Sequence, residues 1–293
     1  MPRRAPSARR LRRALERDDL LQVTLDLFQT DTADYADYVL PAASFLEFDD
    51  VVMSYFNASI SAQVKALPPF GEALPNQDIF RRLAAAMGLT DAELFETDTD
   101  MIAMLLDQAK PALAFETLAE AGTIEYPAKP VVQFEHHDYR TSSGKIELAG
   151  TVFSDAGLPR APFASAEAQP VGGELRLLSP ASKWLMNSSF GNDPKILRQL
   201  GEDEAFVHPD EAQSRGIAHG ARVTIGNSTG AITLRLRVSA DVPRGVILAH
   251  KSRWTANGAG NAGINVNALN PGKKADLAES CAVHSINVSV TPA

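Results

Sequence analysis

A segment rich in proline, glycine and alanine, residues 155–173, divides this chain into two textures. It carries Gly157, Pro159, Pro162, Pro170, Gly172 and Gly173, residues that resist regular backbone hydrogen bonding and so read as a linker. Before it, β-type alternation and helical periodicity interleave. After it come short strand-like runs at 174–179, 204–207, 221–227, 231–239, 245–250 and 282–290, with one helix-like run, Pro194 to Leu200. Several short strands with turn signals between them specify a barrel or sandwich. The expected organisation is an α/β domain over 1–154, a linker over 155–173 and a mainly β domain over 174–293. Two domains suit the 293 residues.

The first half supports the α/β assignment element by element. Leu21 to Phe28 alternates and is rich in β-formers, which predicts a strand. Tyr38-Val39-Leu40 is a short apolar run closed by Pro41, and 51–64 reads as extended. From Asn76 the period becomes helical, through Ile79, Phe80, Leu83, Ala84 and Met87. Asn76 is the expected N-cap, and Gly88 the expected residue past the end. Two further helices are predicted over 99–108, capped by Asp98, and over 111–121, opening at Pro111. Interleaved strands and helices specify α/β.

Composition narrows the function classes. At 45% hydrophobic and 22% charged residues, the chain is neither disordered nor collagen-like nor a coiled coil. A single cysteine excludes a disulfide framework. It also excludes an iron–sulfur cluster held by this chain alone, which needs about four thiolates. No apolar run reaches the ~20 residues of a membrane span. The net charge is −8 although residues 1–17 carry seven arginines against Glu16. The body is therefore strongly acidic, which argues against nucleic-acid binding. The arginines lead into Leu11, Ala14 and Leu15, then Glu16, Arg17, Asp18 and Asp19, with no apolar core of a signal peptide. An amphipathic helix and a cytoplasmic protein are expected.

Familiar motifs fail on context. Gly258-Ala259-Gly260-Asn261-Ala262-Gly263 matches a dinucleotide fingerprint in letters, but Ile264 to Asn267 and then Pro271 leave no helix to follow it. Gly272-Lys273-Lys274 lacks the spacing of a phosphate loop. His136 and His137 are adjacent and diverge on any regular element, so they do not form a metal pair. Cys281 sits in an apolar run and reads as a small packing residue. No residue is nominated as catalytic, and none as a metal ligand. What remains are polar loops: Thr30-Asp31-Thr32 after the first strand, Ser179 with Lys183, Asn187, Ser188 and Ser189, and Asn257, Asn261, Asn265 and Asn267. Such hydroxyls and amides suit a ligand rich in hydrogen-bonding edges, such as a pterin or purine. They are equally ordinary turn formers.

These stretches resemble a known family. Phe28-Gln29-Thr30-Asp31-Thr32-Ala33, then Ala36 to Ala42 with Glu47 beyond, resembles the molybdopterin oxidoreductases, the dimethyl sulfoxide reductase, formate dehydrogenase and nitrate reductase family. Ser142-Ser143-Gly144-Lys145-Ile146-Glu147-Leu148 is similar to its stretch before the interdomain linker. Leu177-Leu178-Ser179 to Asn187-Ser188-Ser189, then His208-Pro209-Asp210-Glu211-Ala212, Arg215-Gly216-Ile217, Gly220-Ala221-Arg222-Val223, Arg244-Gly245-Val246 and Asn265-Val266-Asn267-Ala268-Leu269 follow its C-terminal domain in order. Where many members have Gly-Arg after the asparagine matching Asn57, this chain has Ala58-Ser59-Ile60.

The resemblance implies the C-terminal portion of such an enzyme: a partial Rossmann-like α/β domain followed by a six-stranded double-psi β-barrel. The implied cofactor is molybdopterin guanine dinucleotide, two copies of which hold molybdenum or tungsten in the family. The metal's protein ligand and any iron–sulfur cluster fall in the family's N-terminal portion, so the implied partner is that portion or a split subunit. By position, Thr30, Asp31 and Thr32 approach one nucleotide end, while Ser179, Asn187 and Ser188 line the pterin. Asn267 and His284 hydrogen-bond the other cofactor. Self-association through an exposed apolar face is expected of the chain alone. The alternative is a non-catalytic double-psi barrel serving as a binding or interaction module.

Overall fold

The computed structural model describes residues 8–109, 112–126, 132–161, 168–251, 254, 265–274, 280–284 and 286–293. The chain separates into two compact units, and the separation is not collinear with the sequence. Residues 148–293 form one unit together with 1–22 and 30–35, whereas 23–29 and 36–147 form the other.

The first unit is built on a closed barrel. Its strands are β6 (Leu175–Leu178), β7 (Glu204–Val207), β8 (Arg222–Gly226), β9 (Ala231–Val238), β10 (Val246–Ala249) and β11 (Ile286–Pro292), in the spatial order β10-β6-β11-β8-β9-β7. Strict alternation drives the closure. Leu175 and Leu177, Ala205 and Val207, Val223 and Ile225, Ile232, Leu234 and Leu236, Ile247 and Ala249, and Ile286, Val288 and Val290 all point into one core. Each large aliphatic side chain removed from water there contributes about 1.5–3 kcal/mol. Ala212 and Ile217 extend this core, as do Val266 and Leu269.

Register fixes which loops share an end. β10 runs parallel to β6, and β11 antiparallel to both β6 and β8. β7 is antiparallel to β10, and β9 antiparallel to β8. The C-terminal ends of β6, β8 and β10 therefore meet the N-terminal ends of β7, β9 and β11. The connections 179–203, 227–230 and 250–285 all leave from this one end. The first of them carries α6 (Pro194–Leu200), capped by Asp193, whose carboxylate accepts the Lys195 amide at 2.7 Å.

At the opposite end sits α7 (Pro209–Ser214), which sequence periodicity missed because six residues give too few turns to register. His208 caps it through Nδ1, which accepts the Asp210 amide at 3.1 Å, and Pro209 occupies the first turn. Glu211 latches this helix to the start of β10: the Gly245 amide donates to its carboxylate at 2.8 Å. Arg215 pairs with the same carboxylate and also donates to the Gly173 carbonyl at 2.7 Å. The amide of Gly245 and then Arg215 hold the Glu211 carboxyl below its ordinary range against the cost of burial. The barrel unit also carries α1 (Ala8–Leu15), the arginine-rich helix, and α5 (Thr151–Asp155).

The second unit is α/β of a smaller kind. β1 (Val23–Asp26) and β2 (Tyr38–Pro41) form a parallel pair. β3 (Asp50–Met53), β4 (Ser59–Gln63) and β5 (Thr123–Glu125) form an antiparallel sheet. α2 (Asn76–Ala86), α3 (Asp98–Asp107) and α4 (Phe115–Ala121) accompany them. Leu106 and Leu118 pack on Ile60 as its main buried cluster. Three boundaries differ from expectation. Asn76 lies inside α2, with Pro75 at the cap position and no side-chain cap bond. Thr97, not Asp98, caps α3 by accepting the Asp100 amide at 3.1 Å. α4 opens at Phe115, because 112–114 is not helical.

Arg81 ties these helices together. It donates to the Glu96 carbonyl at 2.7 Å and pairs with Asp78 and Asp98 at 2.8 and 2.6 Å. Glu47 closes the loop before β3 and is buried. Its carboxylate accepts the Ser44 amide at 2.6 Å and the Phe70 amide at 2.7 Å. Those amides, Ser44 first, hold its carboxyl below the ordinary range. Among the described residues no helix is long and apolar enough to cross a membrane.

Candidate cofactor site

All eight predicted site residues fall in the barrel unit, including Thr30, Asp31 and Thr32 from the first half of the sequence. Five of them, Ser179, Asn187, Ser188, Asn267 and His284, lie on connections that leave one end of the barrel. Strand direction alone puts these connections at the same end.

Ser179 follows the last residue of β6. It is 6% exposed, yet its hydroxyl makes no hydrogen bond to any described residue. The hydroxyl oxygen is not among the fully buried side-chain atoms left without a partner, so it stays open to water or a ligand. Asn187 and Ser188 sit half-buried in the loop beyond, with both side chains likewise uncommitted among the described residues. Asn187 holds φ 56° and Phe190 φ 66°, left-handed values that are unusual for residues with a Cβ. The same connection borders a cavity of about 370 Å³ whose lining includes Ser182, Trp184, Phe206 and His250, but not Ser179, Asn187 or Ser188. The Phe206 and His250 rings meet edge to face at 6.0 Å. Aromatic walls with a few convergent polar groups are what a planar, hydrogen-bonding ligand requires.

The asparagines divide by role. Asn265 spends its side chain on the Asn267 amide at 3.0 Å, capping the short turn Val266–Leu269. Asn270 accepts the Gly272 amide at 2.9 Å and is buried. Asn227, on the β8–β9 turn, donates to the Leu269 carbonyl at 2.8 Å and accepts the Thr229 amide at 2.9 Å. Gly230 in the same turn is so close that a Cβ would lie 2.7 Å from the Ala268 carbonyl oxygen. These contacts fix the turn and leave the Asn267 side chain uncommitted among the described residues. Asn265 thus acts as a turn former, and Asn267 lies within the turn with its side chain pointing to no described partner. Asn257, Asn261 and the glycine run Gly258–Gly263 lie outside the described residues.

Thr30 begins a turn: its carbonyl accepts the Asp34 amide at 3.1 Å, and its hydroxyl the Ala33 amide at 3.4 Å. The Gln22 side chain donates to the Thr32 carbonyl at 3.2 Å, anchoring the turn within the barrel unit. α1 rests against the Val266–Leu269 turn in the same unit. His284 is placed differently. It lines a groove of about 710 Å³ with Arg176, Arg244 and Gly245. Among the described residues no cluster of three or more His, Cys, Asp or Glu side chains forms a metal site. His136 and His137 are not part of one.

The fold is thus a closed six-stranded barrel with hydroxyls and amides at one end that make no hydrogen bond to a described residue. The model of the Molydopterin dinucleotide binding domain matches residues 175–286, and that of Molybdopterin oxidoreductase matches residues 4–86. The chain belongs to the molybdopterin oxidoreductase family, and its dinucleotide-binding domain indicates a molybdopterin cofactor. The protein named "Probable oxidoreductase YoaE" from Bacillus subtilis is 33% identical over 290 residues, 98% of this chain and 42% of that protein. Biotin sulfoxide reductase from Cereibacter sphaeroides is 29% identical, across 96% of this chain and 42% of its own length. Acetylene hydratase from Pelobacter acetylenicus shares the fold, with a TM-score of 0.79 at 22% identity over 99% of this chain and 42% of that one. The chain thus spans about two fifths of the length of these relatives.

Proposed function

We propose that this chain is the cofactor-embracing C-terminal portion of a molybdopterin-dependent oxidoreductase and holds molybdopterin guanine dinucleotide for molybdenum or tungsten chemistry. The observation that carries the proposal is the barrel end where the β6 and β10 connections leave: Ser179, Asn187, Ser188 and Asn267 lie on them and make no side-chain hydrogen bond to a described residue. In this reading Ser179, Asn187 and Ser188 bind the edge of one pterin. Asn267 and His284 bind the second cofactor, and Thr30, Asp31 and Thr32 receive a nucleotide end. The bound group supplies the electron transfer, while these side chains orient it and satisfy its hydrogen-bonding edges. No side chain of this chain is assigned a catalytic role.

The partner in this proposal is the N-terminal portion of the same enzyme or a split subunit, which brings the metal's protein ligand and any iron–sulfur cluster. The parallel β1–β2 pair is then one edge of a larger Rossmann-like domain, the barrel is of the double-psi type, and the protein resides in the cytoplasm. A stand-alone barrel module is not favoured, because the family match extends to residues 4–86, outside the barrel. The test is composition: the protein is co-expressed with its N-terminal partner and assayed for metal, for fluorescent oxidised pterin and for released guanine nucleotide. All three are expected. In the Ser179→Val, Asn187→Ala variant pterin is expected to fall several-fold with the melting temperature unchanged. A complete assembly free of metal and pterin overturns the proposal.

A further inference from the structure

We infer that Trp254 is a positioning residue for the proposed pterin loop, acting through one hydrogen bond and one ring face. The inference rests on the reading above and assigns a role to a residue in a different connection of the barrel. Trp254 follows β10 and is 7% exposed. Its indole N–H donates to the Ser188 carbonyl at 2.8 Å, across 66 positions of sequence. Its ring lies flat on the loop backbone at Gly191, where a Cβ would stand 2.3 Å from both the indole Cδ1 and Nε1. The same connection grips the root of the loop, since the Lys251 amide donates to the Pro180 carbonyl at 3.1 Å.

The loop needs such a clamp. Asn187 and Phe190 both hold left-handed backbone that residues with a Cβ adopt reluctantly. Its described backbone bonds are short-range, among them the Ser189 amide to the Met186 carbonyl at 3.0 Å and the Asp193 amide to the Phe190 carbonyl at 3.1 Å. Trp254 takes the Ser188 carbonyl, a backbone group, and leaves the Ser188 hydroxyl and the Asn187 amide for a ligand. A rigid aromatic that spends its polar atom on the supporting backbone pre-organises the groups that touch ligand without touching it.

Three variants in the assembled protein test this, read by the rate at which bound pterin is lost on gel filtration, followed by pterin fluorescence, beside the melting temperature. Trp254→Phe keeps the ring and removes only the N–H. It is expected to release pterin about tenfold faster, the effect of one buried hydrogen bond, with little change in melting temperature. Gly191→Ala drives a methyl group into the ring and is expected to release pterin at least as fast. Val290→Ala, in the barrel core on the last strand, is expected to lower the melting temperature while pterin release stays at the wild-type rate. Wild-type release from Trp254→Phe overturns the inference and leaves the proposed function standing, as does a Val290→Ala release rate equal to that of Trp254→Phe. A wild-type assembly without pterin overturns both.

Discussion

The barrel and the α/β unit are made of the same aliphatic residue types and use them in opposite ways. In the barrel, every inward position of six strands meets others across a closed surface, and one core results. In the α/β unit, the sheets have two and three strands, the main buried cluster is Ile60, Leu106 and Leu118, and large apolar side chains remain outside. Tyr55 and Phe56, at the tip of the β3–β4 hairpin, are 91% and 94% exposed. An open sheet has edges and faces that a closed one lacks. Tyr55 and Phe56 pack edge to face at 5.1 Å, and in the proposed function the N-terminal partner is expected to cover them.

Truncations at matched sites put that contrast to the test. Ile225→Ala, in the barrel core, is expected to cost about 3–5 kcal/mol, read by urea unfolding followed through circular dichroism. Leu106→Ala, in a cluster with a half-buried rim, is expected to cost about 2–3 kcal/mol in the same measurement. An equal or larger cost at Leu106 would break the contrast.

Glu211→Gln is expected to cost about 1–2 kcal/mol, because the Gly245 amide and Arg215 lose a charged acceptor. The pH dependence follows from the lowered carboxyl. Its stabilisation is complete above the unfolded-state pKa of about 4.3 and is lost as pH falls through the lower folded-state value. The melting temperature is therefore expected to fall below about pH 4.3, less steeply in Glu211→Gln than in the wild type. Glu47, also lowered by amide bonds, adds to the acid sensitivity in the same direction. The smallest thermodynamic effect belongs to Phe56→Ser, within about 0.5 kcal/mol. It is expected instead to reduce self-association of the isolated chain in sedimentation velocity, and unchanged association would remove this hairpin from the interface.

Most barrel strands were legible in the letters because their period of two survives in short runs: Leu175 and Leu177, or Ile232, Leu234 and Leu236. Cap positions were less legible. Thr97 and Asp98 are both good cap residues, and only the backbone shows which one accepts the amide. The same holds for Asn265, Asn267 and Asn270, three similar residues of which two bond to backbone and one does not. Trp254 carried no spacing signal, since its partner Ser188 is 66 positions away. Nor could the letters show that Gly191 is glycine because an indole lies on it.

By itself the sequence determined the two textures, the alternation that commits 174–293 to a mainly β fold, and a run of motifs specific enough to indicate a molybdopterin family. Those properties are local or ordered along the chain, so pattern reveals them. Tertiary structure decided what depends on closure. Barrel closure put Ser179, Asn187 and Asn267 on connections leaving one end, although the sequence separates them widely, while His284 lines a groove with Arg176 and Arg244. It also assigned Thr30–Tyr35 to the barrel unit, although the strands that flank this segment in sequence belong to the other. Strand direction and register set which loops become neighbours, and both arise from pairing between distant segments.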